Sequence, residues 1–574
     1  MLKKVIRRFF QKNRLSHIFL GLLLAVLIAP HLMWLKEFPA GVNHDEVDVI
    51  LSAKTYWKFG TDLSGVSFPK SLAATKTDAG LAGLPSFFLS PLIGPVENVL
   101  VAARIIYLLT AALISLFIFL LIRDYAGDKK LAYISLFVSA ASPWLFFYGR
   151  SPTEAPFALL FALIGTYLFL KDKVWKKNVS LIFFIAAFYS YQGAKIVIPA
   201  LVLALTLNEL TGAFRKKLRF TAVYLIIFAV FVSLFFWGTK TFSGGVLAKR
   251  GTELNFGHME KYQEETNVQR RISIVFPGNY IHFNKYSNLI WDTYKNYVGA
   301  FSPGILFVSG DPSVPFSEHG LLFAIDFVLI IFGLVYLAGK PSKIGRIMLI
   351  FAAVAPMASA VSLIGSQYIF RAFLLLPVFV VLISSGIYLI LKKMRGGILS
   401  YALLIFVLAF SYANFLMFFF FRYPVDQEGN HFVSERVLAN YLMRTKDNVT
   451  VVTDFPYRVF YEYAFFSGYL DNDGEIIIPS AASFTDGNIS ITDKCPEVLS
   501  GVLISKQNTN CGPSGRSLVI QSQKDAGTIY KIYGDTLCRS YSLTNWRENA
   551  VVNDYNIEVM DEESFCKRWI FFGE

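Results

Sequence analysis

The sequence has few charged residues and few cysteines for its length. Asp, Glu, Lys and Arg make up 17% of the 574 residues, and all four cysteines lie after position 494. No Walker motif, GxGxxG, HExxH or GxSxG occurs in a suitable context. These absences argue against an ATP-driven pump, a dinucleotide-binding enzyme and a soluble-type hydrolase on a membrane anchor.

Apolar residues are abundant instead. They make up 54% of the chain, with 55 Phe and 29 Tyr, and the mean hydropathy is +0.48. A helix needs roughly twenty mainly apolar residues to cross the hydrocarbon core. The sequence therefore predicts a polytopic α-helical membrane protein with about 11 transmembrane helices, at 16–34, 98–122, 131–148, 155–171, 179–192, 195–208, 219–237, 320–338, 346–364, 371–391 and 397–421.

The basic residues predict the topology. Lys and Arg concentrate in the N-terminus and in short connections near 123–130, 171–177, 215–219, 340–346 and 392–395. By the positive-inside rule these segments are cytoplasmic, so the net charge of +13 indicates membrane orientation rather than nucleic-acid binding. The first run lacks a small-residue cleavage site, which favours a retained helix over a signal peptide. The fifth and sixth runs are short and fit either two spans or one broken hairpin.

The predicted organisation has two domains. Residues 1–421 form the membrane domain, with outer loops at 35–97 and 238–319. Residues 422–574 form an extracytoplasmic α/β domain, because an odd number of spans puts the tail opposite the cytoplasmic N-terminus. We expect a helix near 433–446 and strands at 449–453, 475–479, 499–504, 517–521 and 528–533.

The tail contains all the cysteines: Cys495, Cys511, Cys538 and Cys566. An even number in an extracytoplasmic domain favours two disulfides. Sequence order favours Cys495–Cys511 and Cys538–Cys566, although the two other pairings and four free thiols remain alternatives. The absence of a CxxC pair makes zinc a weaker interpretation.

Three carboxylates follow the first span, at Asp45, Glu46 and Asp48. Acids at a membrane face can take a proton from a hydroxyl nucleophile or hold a cation. A solvated, helix-capping acidic turn is the commoner explanation for such a group. Composition alone favours this structural explanation.

A second cluster, Arg150 to Glu154, lies between the third and fourth predicted spans. Ser151 as N-cap, Pro152 at the first helical position and Glu154 would form a capping box. Arg150 stands beside a predicted helix N-terminus, which attracts anions. A capping role and a functional role for Glu154 are compatible.

Two further groups are candidates for ligand binding. Tyr191 and Lys195 lie in the outer turn of the short helical pair, and Arg371 begins the tenth span. Either cation could bind a phosphate, or snorkel to the interface as a structural residue. Asp311 and His319 could bind a metal, although a loop-closing turn is the more frequent explanation.

The order of these motifs resembles the GT-C superfamily of membrane glycosyltransferases. The similarity is narrower to the bacterial branch related to protein O-mannosyltransferases and the lipid A aminoarabinose transferase. It covers about residues 15–420 and rests on Asp45-Glu46 after the first span, the second acid after the third span, and the Tyr-rich turn ending in Lys195. The motifs are short, and their topological placement carries the resemblance.

The resemblance implies sugar transfer from a polyprenyl-phosphate donor, in a GT-C-like fold. Asp45 would be the general base, with Glu46 and Glu154 positioning the acceptor or tuning Asp45. Arg150, Lys195, Arg371 and Tyr191 would bind the donor phosphate, and Asp48, Asp311 and His319 form a possible additional site. The expected partners are the donor, a lipid, glycan or protein acceptor, and membrane lipid; a divalent cation is the one cofactor left open.

Two other functional classes remain. A transporter or flippase for a lipid-linked glycan would need charges along a continuous path, whereas the charged motifs lie at one predicted face. A non-catalytic membrane scaffold would tolerate the loss of Asp45. Both stay as alternatives to the transferase.

The predicted topology can be tested with a reporter protein fused after Phe421. An odd number of spans predicts that the reporter is extracytoplasmic, as read from its compartment-dependent activity. A reporter active only in the cytoplasm would contradict the parity argument.

Overall fold

A computed structural model describes most of the chain, within the helical part and the tail alike. The described residues are 21, 25–72, 82–210, 214–242, 251–310, 319–340, 342–363, 365, 369–393, 398–426, 428–471, 483–497, 501–509, 511–513, 515–541 and 551–573.

The helical part occupies the region of the predicted membrane domain. Its helices are α1 (His44–Phe59), α2 (Gly83–Ile93), α3 (Val99–Tyr125), α4 (Lys129–Ala141), α5 (Pro143–Tyr148), α6 (Ala155–Phe169), α7 (Val174–Ser190), α8 (Ala194–Leu210), α9 (Phe214–Phe242), α10 (Met259–Ile272), α11 (Asn279–His282), α12 (Lys285–Gly299), α13 (Ala324–Gly339), α14 (Lys343–Val354), α15 (Met357–Ala360), α16 (Leu375–Lys393) and α17 (Ile398–Met417).

The tail contains the helices α18 (Tyr423–Asp426), α19 (Val433–Arg444), α20 (Pro456–Ser467) and α21 (Glu562–Trp569). Its strands are β1 (Val449–Val452), β2 (Ser483–Asp486), β3 (Ile489–Thr492), β4 (Val502–Lys506), β5 (Leu518–Gln521), β6 (Thr528–Tyr533) and β7 (Phe571–Phe572). Short 3₁₀ and π segments connect the longer elements, among them the π segments Ile305–Ser309 and Phe418–Arg422.

The predicted apolar runs are mainly helical where they are described, although the run 131–148 is divided at Ser142 and residues 320–323 precede α13 without helical structure. By length and composition, five helical stretches of the described chain are able to cross a membrane: Val99–Tyr125, Thr221–Gly238, Lys343–Ala360, Leu375–Lys393 and Leu399–Asp426. Three shorter helices are also apolar. This is the pattern of a multi-pass membrane protein, while the number of 11 spans stays a prediction.

The short fifth and sixth runs form two separate helices. Helices α7 and α8 have 17 residues each and are joined by a turn at Tyr191–Gly193. Each helix extends beyond its apolar run, α7 at its N-terminus through Lys176 and Lys177, and α8 at its C-terminus through Glu209. Each helix is shorter than the roughly twenty residues of a full span, so two spans and one broken hairpin both stay predictions.

The tail forms one seven-stranded mixed sheet in the order β2-β3-β1-β4-β6-β5-β7. Strand β1 pairs in parallel with β3 and β4, and the other pairs are antiparallel. The predicted α/β class is confirmed, and β1, β4, β5 and β6 overlap predicted strands. The short strands β2, β3 and β7 were not predicted, and the predicted strand at 475–479 lies outside the described residues. The boundary at 421/422 stays a prediction.

The structure has the two disulfides favoured by sequence order. The Cα atoms of Cys495 and Cys511 are 5.8 Å apart, and those of Cys538 and Cys566 are 5.2 Å apart. Both separations lie within the usual range for a disulfide. The described residues contain no free cysteine.

Two glycines allow α13 and α16 to pack backbone to backbone. A Cβ added at Gly333 would overlap the carbonyl of Leu382 on α16, and one added at Gly386 would overlap the carbonyl of Leu329 on α13. Small residues permit this approach between apolar helices, where lipid gives no hydrophobic driving force. The contact is reciprocal, so each helix supplies one glycine.

We expect Gly386→Val to destabilise the helical part by about 1–3 kcal/mol, the usual cost of overpacking. Gly339→Val is the matched control, because no atom lies within 4 Å of the added Cβ there. Thermal unfolding in detergent measures the difference. Equal midpoints for the two variants would show that the close contact is unimportant.

Candidate active site

The acidic pair begins α1. Asn43 caps this helix, and its side-chain oxygen accepts a hydrogen bond from the amide of Asp45 at 2.9 Å. Asp45 and Glu46 thus lie in the first turn, where the helix dipole stabilises negative charge. The Asp45 side chain is exposed and Glu46 is buried. Of these two carboxylates, therefore, Asp45 is the one that faces solvent.

Glu46 is buried in a polar environment. Arg104 and Asp45 are its charged neighbours, and the hydroxyl of Ser151 lies beside it. Burial raises the pKa of Glu46 to about 7, although the charge of Arg104 opposes the shift. Near neutral pH this carboxyl group can therefore either hold or release a proton.

Three arginines without exposed surface hold the segment that leads into α1. Arg104 comes from α3, Arg150 from the turn after α5, and Arg436 from α19 in the tail. They donate hydrogen bonds to the main-chain carbonyls of Pro30, Met33, Leu35, Lys36, Phe38, Pro39, Ala40 and Gly41. Helical and tail elements therefore fix the same irregular stretch of main chain.

Arg436 also joins this segment to the end of the tail. It donates two hydrogen bonds of 2.8 Å to the carboxylate of Glu558, and Lys36 lies 3.6 Å from the same group. Burial opposes ionisation of Glu558, but the charge and hydrogen bonds of Arg436 lower its pKa to about 2. The carboxylate thus stays charged and balances the buried guanidinium.

Arg150 has different partners from those predicted. Its terminal nitrogens bind the carbonyls of Pro30, Met33 and Phe38, and its guanidinium lies 5.1 Å from the ring centre of Phe146. It is fully buried among these groups. The observed geometry gives Arg150 a role in anchoring the main chain, and its role at the donor phosphate stays a prediction without support from these contacts.

The tail also holds α1 directly. Arg458 of α20 lies 3.2 Å from the buried carboxylate of Asp48. The ring of Phe432 stacks on His44 with 3.5 Å between ring centres. Burial, aided by the charge of Arg458, lowers the pKa of His44 to about 3, so the imidazole is neutral. Asp48, predicted as part of an additional site, is therefore a partner in an ion pair.

Two backbone features mark this contact as closely constrained. Phe432 has a φ of 50°, which is unfavourable for a bulky side chain. A Cβ added at Gly41 would overlap the carbonyl of His431, so only glycine fits there. The junction between the acidic segment and α19 thus permits little displacement.

The far end of α1 is bound to the tail as well. Lys54 is buried and lies 2.7 Å from Asp471, and Lys58 donates to the carbonyl of Leu470 at 2.6 Å. A cavity of about 410 Å³ lies here, lined by Lys54, Glu97 and Asp471 among others. It is about two and a half turns along α1 from Asp45, so it is separate from the acidic pair.

Glu154 is buried, but it does not form the predicted capping box. Helix α6 begins at Ala155 with Glu154 itself as N-cap, rather than at Pro152. An oxygen of Glu154 accepts a hydrogen bond from the amide of Ala82, just before α2. Buried Tyr107 of α3 interacts electrostatically with both Glu46 and Glu154. The capping-box prediction is wrong, and both acids act electrostatically on the same buried tyrosine.

Three of the predicted phosphate-binding residues, Tyr191, Lys195 and Arg371, lie on two adjoining segments. The ring of Tyr191 contacts that of Phe373, which is two residues after Arg371, with 5.9 Å between centres. The amine of Lys195 donates to Gln192 at 2.6 Å. This contact brings the α7–α8 turn next to the segment that carries Arg371.

The candidate metal ligands do not group. His319 packs against Phe415 with 5.2 Å between ring centres, and Asp311 lies outside the described residues. Across the described ranges, no three His, Cys, Asp or Glu side chains lie close enough to hold a metal ion.

The sequence analysis missed the arginines that organise the site and one buried acid. Arg104 had a signal, because a charge inside a predicted span is a functional candidate. Arg436 and Arg458 had none, since nothing local in the tail indicates a partner about 400 positions earlier. Glu462 of α20 is buried with neither oxygen hydrogen-bonded, and burial raises its pKa well above the usual value.

Comparisons with known proteins give structural likenesses alone. No protein-family model and no curated protein matches the chain. ArnT from Cupriavidus metallidurans in the apo state aligns with a TM-score of 0.49 and 10% identity, over 90% of this chain and 98% of that one. The same protein bound to undecaprenyl phosphate aligns with a TM-score of 0.47 and 12% identity, over the same shares, 90% and 98%. Both likenesses cover most of each chain at low sequence identity.

The pKa of Glu46 predicts a pH-dependent stability. Its pKa rises from 4.5 to about 7 on folding, so its contribution is favourable at low pH and is lost as the pH rises through 7. We expect Glu46→Gln to gain stability relative to wild type between pH 5 and pH 8.5, by up to about 3 kcal/mol. Thermal unfolding across this range measures the gain.

Asp48→Asn should instead lower the stability of the protein. It leaves Arg458 buried without its carboxylate, so we expect a loss of about 3–5 kcal/mol, as for other broken buried pairs. If the difference in stability between Glu46→Gln and wild type did not change with pH, this result would contradict the assigned environment of Glu46.

Proposed function

We propose that the chain is a glycosyltransferase that moves a sugar from a polyprenyl-phosphate donor to an acceptor hydroxyl at the outer face of the membrane. The observation that carries this proposal is the exposed carboxylate of Asp45, on a helix held by the ion pairs of Asp48 with Arg458 and of Lys54 with Asp471. A base on a rigid helix can meet a substrate without reorganising. The family resemblance of the sequence supports the same reaction.

In this mechanism Asp45 is the general base. Its carboxylate takes the proton of the acceptor hydroxyl as the acceptor oxygen bonds to the anomeric carbon. The bond between that carbon and the donor phosphate breaks, with inversion, and polyprenyl phosphate leaves. The first turn of α1 suits Asp45 to this role, because the helix dipole and the cap at Asn43 keep the carboxylate in place.

Glu46 and Glu154 support Asp45 rather than replace it. Both are buried, and an oxygen of Glu154 is already bound to the amide of Ala82. Glu46, with its pKa near 7, changes the local charge when it titrates beside Asp45. We therefore assign Glu46 to tuning Asp45 and Glu154 to holding the segment before α2.

Lys195 and Arg371 are the proposed partners of the leaving phosphate. Both are partly buried, and Tyr191 places their segments side by side. Positive charge at this position would stabilise the negative charge that develops on the phosphate in the transition state. Arg150 is better explained as a structural anchor of the acidic segment.

The contacts of the buried charges favour a transferase over a transporter. A flippase needs charges that line a path through the membrane. Arg104 and Arg150, the fully buried arginines of the helical part, instead bind main-chain carbonyls. A scaffold without catalytic activity would not explain why Asp45 is exposed between two buried acids.

The decisive experiment is transfer by the reconstituted protein with polyprenyl-phosphate hexose and pentose donors. We expect Asp45→Asn to lower the transfer rate by about 10²–10⁴, the usual contribution of a general base. Glu154→Gln should lower it less, because the amide can still accept from Ala82. Radiolabelled product measures both rates.

Glu264→Gln is the matched control, since Glu264 is an exposed acid in the other predicted outer loop. It should transfer at the wild-type rate. Full transfer by Asp45→Asn would exclude the general-base assignment. Movement of an intact labelled donor across proteoliposomes, without product, would favour the flippase.

A further inference from the structure

The segment between α9 and α13 exposes several large apolar side chains. Ile274 is 91% exposed and Val275 is 83% exposed. Ile281, Ile290, Trp291 and Tyr294 are each more than half exposed. We call these six residues the apolar ledge. Exposed apolar patches of this kind mark a surface that is covered in the working protein.

The ledge residues of α12 lie on one face of that helix. Ile290 and Tyr294 are four positions apart, Trp291 adjoins them, and Tyr286 and Val298 continue the same stripe. The opposite side of α12 packs on the protein, where Asn288 donates to Thr266 of α10 at 3.0 Å. The helix is therefore amphipathic with its apolar face turned outward.

Contacts of α12 place the ledge at the end of an apolar helix. The hydroxyl of Tyr297 donates to the carbonyl of Ala353, in the last turn of α14, at 2.8 Å. Asn296 donates to the carbonyl of Ser362, also at 2.8 Å. The candidate span begins at the basic residue Lys343, and these partners lie at its opposite, C-terminal end. Helix α12 thus lies where that span would leave the hydrocarbon core.

The charges around the ledge are mainly basic. Arg270, Arg271, Lys285 and Lys295 accompany the single acid Asp292 between residues 270 and 299, whereas Glu260, Glu264 and Glu265 lie at the start of α10. Arg270 lies over the ring of Tyr280 at 4.8 Å and Lys295 over Trp291 at 5.6 Å. Basic residues beside Trp and Tyr are typical of protein surfaces that contact anionic lipid.

We propose that the apolar ledge lies in the surface of the lipid bilayer, with its basic residues on anionic phospholipid headgroups. The exposed rings, the position at the end of α14 and the adjacent basic residues all fit this one partner. A protein partner would account for the exposed rings but not for their alignment with the end of a span. The proposal is independent of the transferase reaction.

The ledge adjoins one of the proposed phosphate-binding segments. Glu253, at the beginning of the same stretch, accepts from the amide of Leu363 through its carbonyl at 3.0 Å. Its carboxylate lies 4.0 Å from Arg371. Anchoring of the ledge in lipid would therefore hold this stretch, and its contact with Arg371, at a constant height above the bilayer.

Spin labels on single introduced cysteines test the proposal in the full-length protein. Ile274→Cys and Ile290→Cys report on the ledge, and Glu264→Cys is the control on the acidic part of α10. The native cysteines are all in disulfides and do not react with the label. The protein is placed in nanodiscs of phosphatidylethanolamine and phosphatidylglycerol, and power saturation compares collisions with oxygen and with a water-soluble nickel chelate.

We expect labels at positions 274 and 290 to collide with oxygen more than with nickel, and the label at 264 to show the reverse. Replacing phosphatidylglycerol with phosphatidylcholine should reduce the immersion of position 290. Nickel collisions at 274 and 290 equal to those at 264 would show that the ledge faces water. Protection from both reagents would show cover by protein, and either result would overturn the proposal.

Discussion

The arrangement of the candidate site depends on three buried guanidinium groups that bind the main chain before α1. Residues 33–41 form turns and bends, so their carbonyls lack the regular partners of a helix or sheet. Buried carbonyls need donors, and a buried arginine needs acceptors for its five N–H groups. The terminal nitrogens of Arg104, Arg150 and Arg436, each from a different part of the chain, donate to these carbonyls, while the Nε atoms of Arg104 and Arg150 have no acceptor among the described residues.

This arrangement determines which acid is available for chemistry. Positions 45, 46 and 48 of one helix point in different directions because successive residues are rotated by about 100°. Glu46 and Asp48 point into the protein, toward Arg104 and Arg458 respectively. Asp45 points outward. The tail therefore takes part in positioning the acidic pair, through Arg458 and Arg436, in addition to lying beside it.

Local sequence patterns predicted the helices and strands better than they predicted the contacts between residues. Apolar runs indicated the helices, because lipid and core packing both require them, and alternation indicated β1, β5 and β6. The start of α6 was misjudged because Pro152 suits a first helical turn, while the structure begins the helix three residues later. Asp45 and Glu46 could be singled out from their spacing and predicted side of the membrane.

The partners of these residues could not be derived in the same way. Lys195 and Arg371 are recognisable as isolated cations at span ends, but their adjacency depends on the contact of Tyr191 with Phe373. The main-chain contacts of Arg150 were not predicted, because an arginine at a membrane face suggests an anion, whereas main-chain carbonyls also accept its hydrogen bonds. Pairings such as Asp48 with Arg458 arise only when the tail folds back onto α1.

The close approach of Gly41 to the carbonyl of His431 has a consequence for the order of assembly. The two residues are separated by nearly the whole membrane part of the chain, and Arg436 reaches Ala40 across 396 positions. During synthesis the first acidic turn leaves the ribosome long before the residues that hold it exist. The acidic segment can therefore reach its final position only after the tail has been synthesised and folded, so a nascent or truncated chain would lack the contacts that hold this segment.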